Sequence, residues 1–468
     1  MTPIVRTVNP ADGRELAGYP AHTSDELSAI LDRAERAAPG WARLPLADRA
    51  AHLVATAKKL RDSRADFALL ITSEMGKPLA EALGEIDKCA WNCEYIAEQA
   101  EAFLADEYVP TSAERSWVSY EPLGVVLAVM PWNFPFWQVL RFACAALIAG
   151  NAAVLKHSPN VTGCALAIEA LFADAGLPEG VFSTLVVDEA KVSETVAGLI
   201  ADPRISAVTL TGSERAGMSV GAAAGGALKK TVLELGGSDP LVVLDDADLA
   251  AAVAAATQSR FGNAGQSCIA AKRFIVAEAI ADEFVARLAE RVATLPVGDP
   301  LRAETRIGPL ARPDLVDGVD RQVRASLAAG ATLVAGGERL PGPGSFYAPT
   351  ILDRVRPGMA AFAEETFGPV AAIVRFDGDD EAVALANDTP YGLGAAVWGS
   401  PEHALRVGRR IRSGALFINA VVASDPRLPF GGIRRSGYGR ELAAAGVREF
   451  TNVRTVWVGE PPRKDPPR

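Results

Sequence analysis

Apolar residues along this chain follow two rhythms that change near residue 120. Across residues 24–99, apolar and small side chains recur at the three- and four-residue spacing of helices, and Ser24-Asp25-Glu26-Leu27 resembles an N-cap followed by early acids. Turn signals at Pro39-Gly40 and Gly76-Lys77-Pro78 divide this stretch into packed amphipathic helices. Residues 108–120 alternate polar with β-favouring side chains, which predicts a hairpin or extended arm. Beyond it the apolar runs become short and continuous. Val125-Val126-Leu127-Ala128-Val129-Met130, Ala153-Val154-Leu155-Lys156 and Ala207-Val208-Thr209-Leu210 read as strands covered on both faces, as in a parallel sheet.

A helical stretch at 160–175 lies between two of these runs, so βαβ units are expected. A second round follows Gly236-Gly237, with a strand at 241–244, a helix at 249–260 and a strand at 273–276. The glycine- and proline-rich residues 335–349 read as a surface loop, and the tail 461–468 as disordered. The pattern predicts two α/β domains with a cleft between them, where ligands usually bind.

Composition narrows what the cleft holds. A chain of 468 residues exceeds one ordinary core. Its net charge of -10 argues against nucleic acid or an anionic membrane as partner, while leaving room for a small anion opposed by local arginines. Residues 1–6 lack an apolar signal core, and no run reaches the about 18 apolar residues that span a bilayer, so a cytoplasmic location is expected. Cys89, Cys93, Cys144, Cys164 and Cys268 are odd in number and scattered, as in a reducing compartment. Neither they nor the four histidines form a metal-type cluster, so no metal is expected and a general base is sought among the carboxylates.

Five motifs bear chemistry. Phe261-Gly262-Asn263-Ala264-Gly265-Gln266-Ser267-Cys268 sets a thiol among small and polar neighbours, the seat of a nucleophile or simply one more buried cysteine. Leu210-Thr211-Gly212-Ser213-Glu214-Arg215-Ala216-Gly217 is a glycine turn between a strand and a helix, suited to a phosphate but short of the usual dinucleotide fingerprint. Glu234 lies in the apolar run Thr231-Val232-Leu233-Glu234-Leu235-Gly236-Gly237: buried, it would be held above the usual carboxylate range; facing outward, it would be ordinary. In Met130-Pro131-Trp132-Asn133-Phe134-Pro135, two prolines stiffen a loop whose Asn133 is either an oxyanion donor or a turn former. Glu364-Glu365-Thr366-Phe367-Gly368-Pro369 puts an acid and an aromatic beside a rigid corner, where Glu365 either accepts from ribose hydroxyls or is solvated.

In this order, across residues 8–457, the motifs closely resemble the aldehyde dehydrogenase superfamily. Lys156-His157-Ser158-Pro159-Asn160, the run Leu235-Gly236-Gly237-Ser238-Asp239-Pro240 and the ending Gly431-Gly432-Ile433-Arg434-Arg435-Ser436-Gly437-Tyr438-Gly439-Arg440-Glu441 are most similar to the bacterial succinate-semialdehyde dehydrogenases within it. The resemblance implies an α/β fold with a discontinuous Rossmann-type dinucleotide-binding domain (1–105 and 122–236), a catalytic domain (237–445) and a β-hairpin oligomerisation arm (106–121 and 446–460). It implies Cys268 as nucleophile, Glu234 as general base and Asn133 as oxyanion donor. Lys156 matches the adenosine-ribose grip, with Ser158 and Pro159 beside it. Gly212, Ser213 and Gly217 match the phosphate turn, Glu365 and Phe367 the nicotinamide-ribose clamp, and Trp132 and Leu235 the wall near the reacting centre.

One departure bears on the cofactor. Many NAD-preferring relatives carry a glutamate where this chain has Pro159; its absence removes a repulsion from a 2′-phosphate, so NADP is expected ahead of NAD. The expected substrate is an aldehyde with a distal carboxylate, bound by Arg141 and Ser424. Succinate semialdehyde leads, with glutarate semialdehyde or a broader aldehyde range as alternatives. A second arginine of some relatives is Gly262 here, with Arg260 as a possible substitute, and Ala270 excludes a local redox disulfide with Cys268. Coenzyme-A-acylating relatives and acyl-phosphate reductases typically lack the embedded glutamate present here as Glu234. The arm implies a homodimer or homotetramer.

Overall fold

In the computed structural model, which describes residues 3–459, the helical stretch resolves into helices Ser24–Arg43, Leu46–Asp62, Arg64–Met75 and Leu79–Leu104. The first is capped by Thr23 rather than Ser24. The Thr23 hydroxyl accepts the Glu26 N–H at 3.2 Å and the Glu26 carboxylate accepts the Thr23 N–H at 2.7 Å, a reciprocal capping box. The turn expected at Pro39-Gly40 does not form, and the helix runs through Pro39. Trp41, two residues further on, is buried and donates its indole N–H to the Leu147 carbonyl at 2.9 Å. That anchorage outweighs the about 3 kcal/mol a mid-helix proline costs. Gly76 ends the third helix in the left-handed conformation, φ 82°, where the turn signal lies.

The first large sheet has six strands, ordered Gly437–Tyr438, Lys230–Glu234, Ile205–Thr211, Val125–Val129, Ala152–Lys156 and Phe182–Thr184. The last five are mutually parallel, and the pairings Val129↔Lys156, Val129↔Leu210 and Thr211↔Glu234 bring their carboxyl ends into line. The second sheet has seven strands, ordered Thr332–Ala335, Thr350–Asp353, Val370–Phe376, Arg273–Ala277, Pro240–Val243, Gly394–Trp398 and Ala415–Ile418. A third sheet joins Thr451–Val458, Arg115–Pro122 and Glu107–Tyr108, so the expected arm is a three-stranded antiparallel sheet.

The second half of the chain does not keep to its own sheet. Gly437–Tyr438, expected inside the 237–445 domain, pairs antiparallel with Lys230–Glu234 and closes the edge of the first sheet. Gly437 makes this possible: its φ is 107°, and a Cβ there would fall 1.9 Å from the Leu233 carbonyl oxygen. Leu442, Val447 and Phe450 then bury into the first domain's core, on the side of helix Trp137–Ile148. The predicted tail 461–468 lies outside the described residues. No helix among them is long and apolar enough to cross a membrane.

Candidate active site

Helix Leu249–Phe261 ends in a strained loop that leads to Cys268. Asn263 and Ala264 hold φ of 50° and 52°, followed by Gly265 at 74°. For the two non-glycine residues this costs about 1–2 kcal/mol each, so surrounding bonds must impose it. The Asn263 N–H donates to Glu81 at 2.7 Å, and its side-chain amide donates to the Asn133 carbonyl at 2.9 Å. Gln266 donates to the Asn263 carbonyl at 3.1 Å and accepts the Ala311 N–H at 2.9 Å. A side chain at Gly265 would place its Cβ 2.2 Å from the Gly368 carbonyl oxygen. The loop delivers Cys268 half-buried, whereas the other four cysteines are buried, which favours the nucleophile's seat over a core position.

The predicted loop partner is present. Asn133 is buried and donates one amide hydrogen to the Gln266 carbonyl at 3.0 Å, which fixes its side chain to the Cys268 loop and leaves the second hydrogen unspent. Burial pushes the Cys268 thiol up to about 12, against the opposing pull of Arg141 and Lys272. The resting sulfur is therefore a thiol.

Lys272 was not singled out from the sequence. Fully buried, its ammonium donates to the carbonyls of Cys268 at 2.7 Å, Ser267 at 3.0 Å and Ala270 at 3.3 Å, and lies 3.6 Å from Glu365. Its signal is a lone lysine entering the buried strand Arg273–Ala277.

Two cavities meet at Cys268 and Gln138. The first, about 270 Å³, is lined among others by Trp132, Asn133, Gly212, Ser213, Leu235, Gly236, Glu365 and Phe367. Trp132 meets Phe367 edge-on, with centroids 5.7 Å apart, and the Arg312 guanidinium lies 5.4 Å over the indole. Gly236 leaves room for Glu365: a Cβ would stand 2.3 Å from its carboxylate, which accepts the Gly237 N–H at 3.1 Å. The second cavity, about 280 Å³, is lined by Lys88, Trp137, Arg141, Ser424 and Phe430 among others. A larger crevice of about 1090 Å³ along helix Leu249–Phe261 touches none of the predicted site residues.

Of the remaining predicted cofactor residues, Lys156, Ser158, Pro159 and Gly217 lie outside these walls, near the aligned strand ends. Lys156 closes strand Ala152–Lys156; burial lowers its ammonium to about 8, and it makes no ion pair among the described residues. Ser158 donates its hydroxyl to Asn160 at 2.7 Å, and Pro159 opens a single helical turn. The Ser213 hydroxyl accepts the Ala216 N–H at 3.3 Å, so it caps helix Glu214–Gly226. Gly217 is a packing position. A Cβ there would come 2.4 Å from Leu235, so the glycine lets this helix lie on the strand end.

Glu234 is buried, as the embedded reading requires, and not outward-facing. Desolvation first and Glu441 second hold it well above the usual carboxylate range, with Arg141 and Arg440 opposing. Neither carboxylate oxygen has a hydrogen-bond partner among the described residues, and Gly431 packs beside it, where a Cβ would be 2.6 Å away. Glu234 lies off the walls of both cavities. Arg141 is on the wall of the second cavity but is buried and ion-paired through Nε to Glu441; its guanidinium also lies 4.7 Å over Phe430 and 3.4 Å from the Thr211 hydroxyl. Arg260 is no substitute for a second substrate arginine, because it is fully buried and donates to the carbonyls of Gly265 at 2.6 Å and Ala271 at 3.3 Å.

Known proteins share this arrangement of elements. A model of the aldehyde dehydrogenase family matches residues 2–456. A probable succinate-semialdehyde dehydrogenase [NADP(+)] of Synechocystis is 50% identical over 97% of this chain and 99% of its own. The succinate semialdehyde dehydrogenase [NAD(P)+] of Escherichia coli is 46% identical, covering 96% and 97%. The crystal structure of succinic semialdehyde dehydrogenase from Streptococcus pyogenes with NADP+ superposes with a TM-score of 0.94 at 38% identity, covering 97% of this chain and all of that one. With a matching family model across nearly its whole length and relatives near half identity, the chain belongs to the aldehyde dehydrogenase family.

Proposed function

We propose that this chain oxidises succinate semialdehyde to succinate with NADP+, through a thioester on Cys268. The observation that carries the reading is the meeting of two unlike cavities at one half-buried thiol, one aromatic and glycine-walled, the other bearing cations. The glycine turn at Gly212 and the buried Lys156 ammonium fit a nicotinamide dinucleotide, and Glu365, admitted by Gly236, would hold its ribose together with Phe367. When bound, it supplies the hydride acceptor. Pro159 carries no charge to repel a 2′-phosphate, and the relatives named for NADP(+) support the same preference.

The chemistry of the chain's own residues then follows. The Cys268 thiol passes its proton to solvent water, and its sulfur bonds the aldehyde carbon as the C=O π pair moves onto the oxygen. The oxyanion so formed accepts from the second amide hydrogen of Asn133 and from the Cys268 backbone N–H. Once the carbon has been oxidised it is held as a thioester, which covalent capture makes a separate and easier step to hydrolyse. Glu234, with a raised proton affinity suited to a general base, takes a proton from water that attacks the thioester and expels the Cys268 thiolate. Glu234 must turn toward the carbon to do so, and no hydrogen bond holds it back.

Arg141 and Ser424 face the far end of the aldehyde and receive its carboxylate in this reading. The three-stranded arm, with Val453 and Trp457 exposed, supports a homodimer or homotetramer, and five unpaired cysteines support a cytoplasmic setting. Steady-state kinetics on succinate semialdehyde, glutarate semialdehyde and butanal with both dinucleotides test the proposal. Succinate semialdehyde with NADP should give the highest kcat/KM, and the free acid should form without coenzyme A. Equal rates with butanal, a preference for NAD or a coenzyme A requirement would contradict it.

A further inference from the structure

The aldehyde-side cavity holds two cations in different electrostatic states. The Arg141 guanidinium is already paired with Glu441, so a substrate anion approaching Arg141 meets a charge that is largely answered. Lys88, on helix Leu79–Leu104, is the other cation. Its ammonium lies 4.3 Å over the Trp137 ring and donates to the Ser424 hydroxyl at 2.7 Å. It makes no ion pair among the described residues. The acids closest to it are engaged elsewhere, Asp425 with Arg427 at 2.7 Å and Glu85 with Lys77.

We infer that Lys88 is the principal receptor for the distal carboxylate of the aldehyde, with Ser424 as its hydroxyl partner and Arg141 in a supporting place. An ammonium has three donors, and only one is spent on Ser424. Burial and the nearby Arg141 charge pull Lys88 down to about 8, the condition of a cation that lacks an anion; the opposite charge of a bound carboxylate opposes that shift. The position also answers the missing second arginine, since Gly262 has no side chain and Arg260 is committed to backbone carbonyls. Lys88 and Cys268 line the same cavity, with the aromatic rings of Trp137 and Phe430 also in its wall, so an aldehyde anchored at Lys88 has access to Cys268.

This inference rests on the proposed function and is tested with the full-length enzyme at saturating NADP. The quantity read is kcat/KM for succinate semialdehyde divided by that for butanal, in the wild type, in Lys88→Met and in Lys88→Arg. A hydrogen-bonded charge pair is worth about 10- to 100-fold, so K88M should reduce the ratio by that factor, mainly through KM, while K88R, keeping the charge, should stay within about 5-fold of the wild type. K88Q, made alongside, carries the same test if the methionine form does not fold. A ratio in K88M or K88Q within about 2-fold of a wild type that favours succinate semialdehyde overturns the role of Lys88 and leaves the proposed function standing. A wild type that does not favour succinate semialdehyde over butanal overturns the proposed function and this inference with it.

Discussion

The two cavities that meet at Cys268 are built from different materials. On the proposed assignment, the dinucleotide side is largely a backbone construction: a glycine turn at Gly212, a helix start at Ser213, and glycines at 217 and 236 that let a helix and a carboxylate come close. The aldehyde side is a side-chain construction on two neighbouring helices, Leu79–Leu104 and Trp137–Ile148, whose inner faces bring together Lys88, Trp137 and Arg141. Backbone sites fail when something is added; side-chain sites fail when something is removed. In the proposed reading, cofactor binding is therefore guarded by glycines that no single polar contact replaces, while substrate choice rests on one or two charges.

That contrast is sharpest at Gly236. Gly236→Ala puts a methyl where 2.3 Å separates the Cβ position from the Glu365 carboxylate, so Glu365 must shift away from the Gly237 N–H and from its proposed place at the ribose. The KM for NADP should rise about 10- to 100-fold, with a much smaller change in the KM for succinate semialdehyde. An equal rise in both would mean that the two cavities are not separately built.

A smaller effect concerns the thiol they share. Because burial holds Cys268 near 12, its thiolate fraction in the free enzyme should climb about tenfold per pH unit from pH 7 to 9, and alkylation by iodoacetamide should climb with it. The direction follows from the sign of the shift: a raised thiol affinity keeps the proton on below 12 and releases it only as pH rises. A rate that levels off by about pH 8 would mean that Arg141 and Lys272 outweigh desolvation.

Legibility in the sequence divides along the same line. The strands at 125–130, 153–156 and 207–210, the glycine turn and the Cys268 loop were readable because each is a local pattern of a few consecutive residues. Cys268, Glu234 and Asn133 gained their joint meaning from family resemblance, and the fold supplies physical reasons for two of them: Glu234 is buried beside Glu441, and Asn133 is tied to the Cys268 loop. Lys88, Lys272 and the Arg141–Glu441 pair were not readable. Their roles come from residues far apart in the chain whose neighbours only the packed helices and sheet edge define, as when Gly437–Tyr438 carries Glu441 back to the first domain. Pro39 misled for the same reason, since Trp41 packing overrides its local turn signal.

The central claim is that one thiol holds the aldehyde carbon while Glu234 releases it. Glu234→Gln keeps the shape and removes the base, so mixing that variant with succinate semialdehyde and NADP+, followed by intact-mass and peptide mass spectrometry, reads the intermediate directly. The account predicts a succinyl thioester accumulating on Cys268, with a stoichiometric burst of reduced dinucleotide and little further turnover. Continued turnover at the wild-type rate with Cys268 unmodified would contradict it.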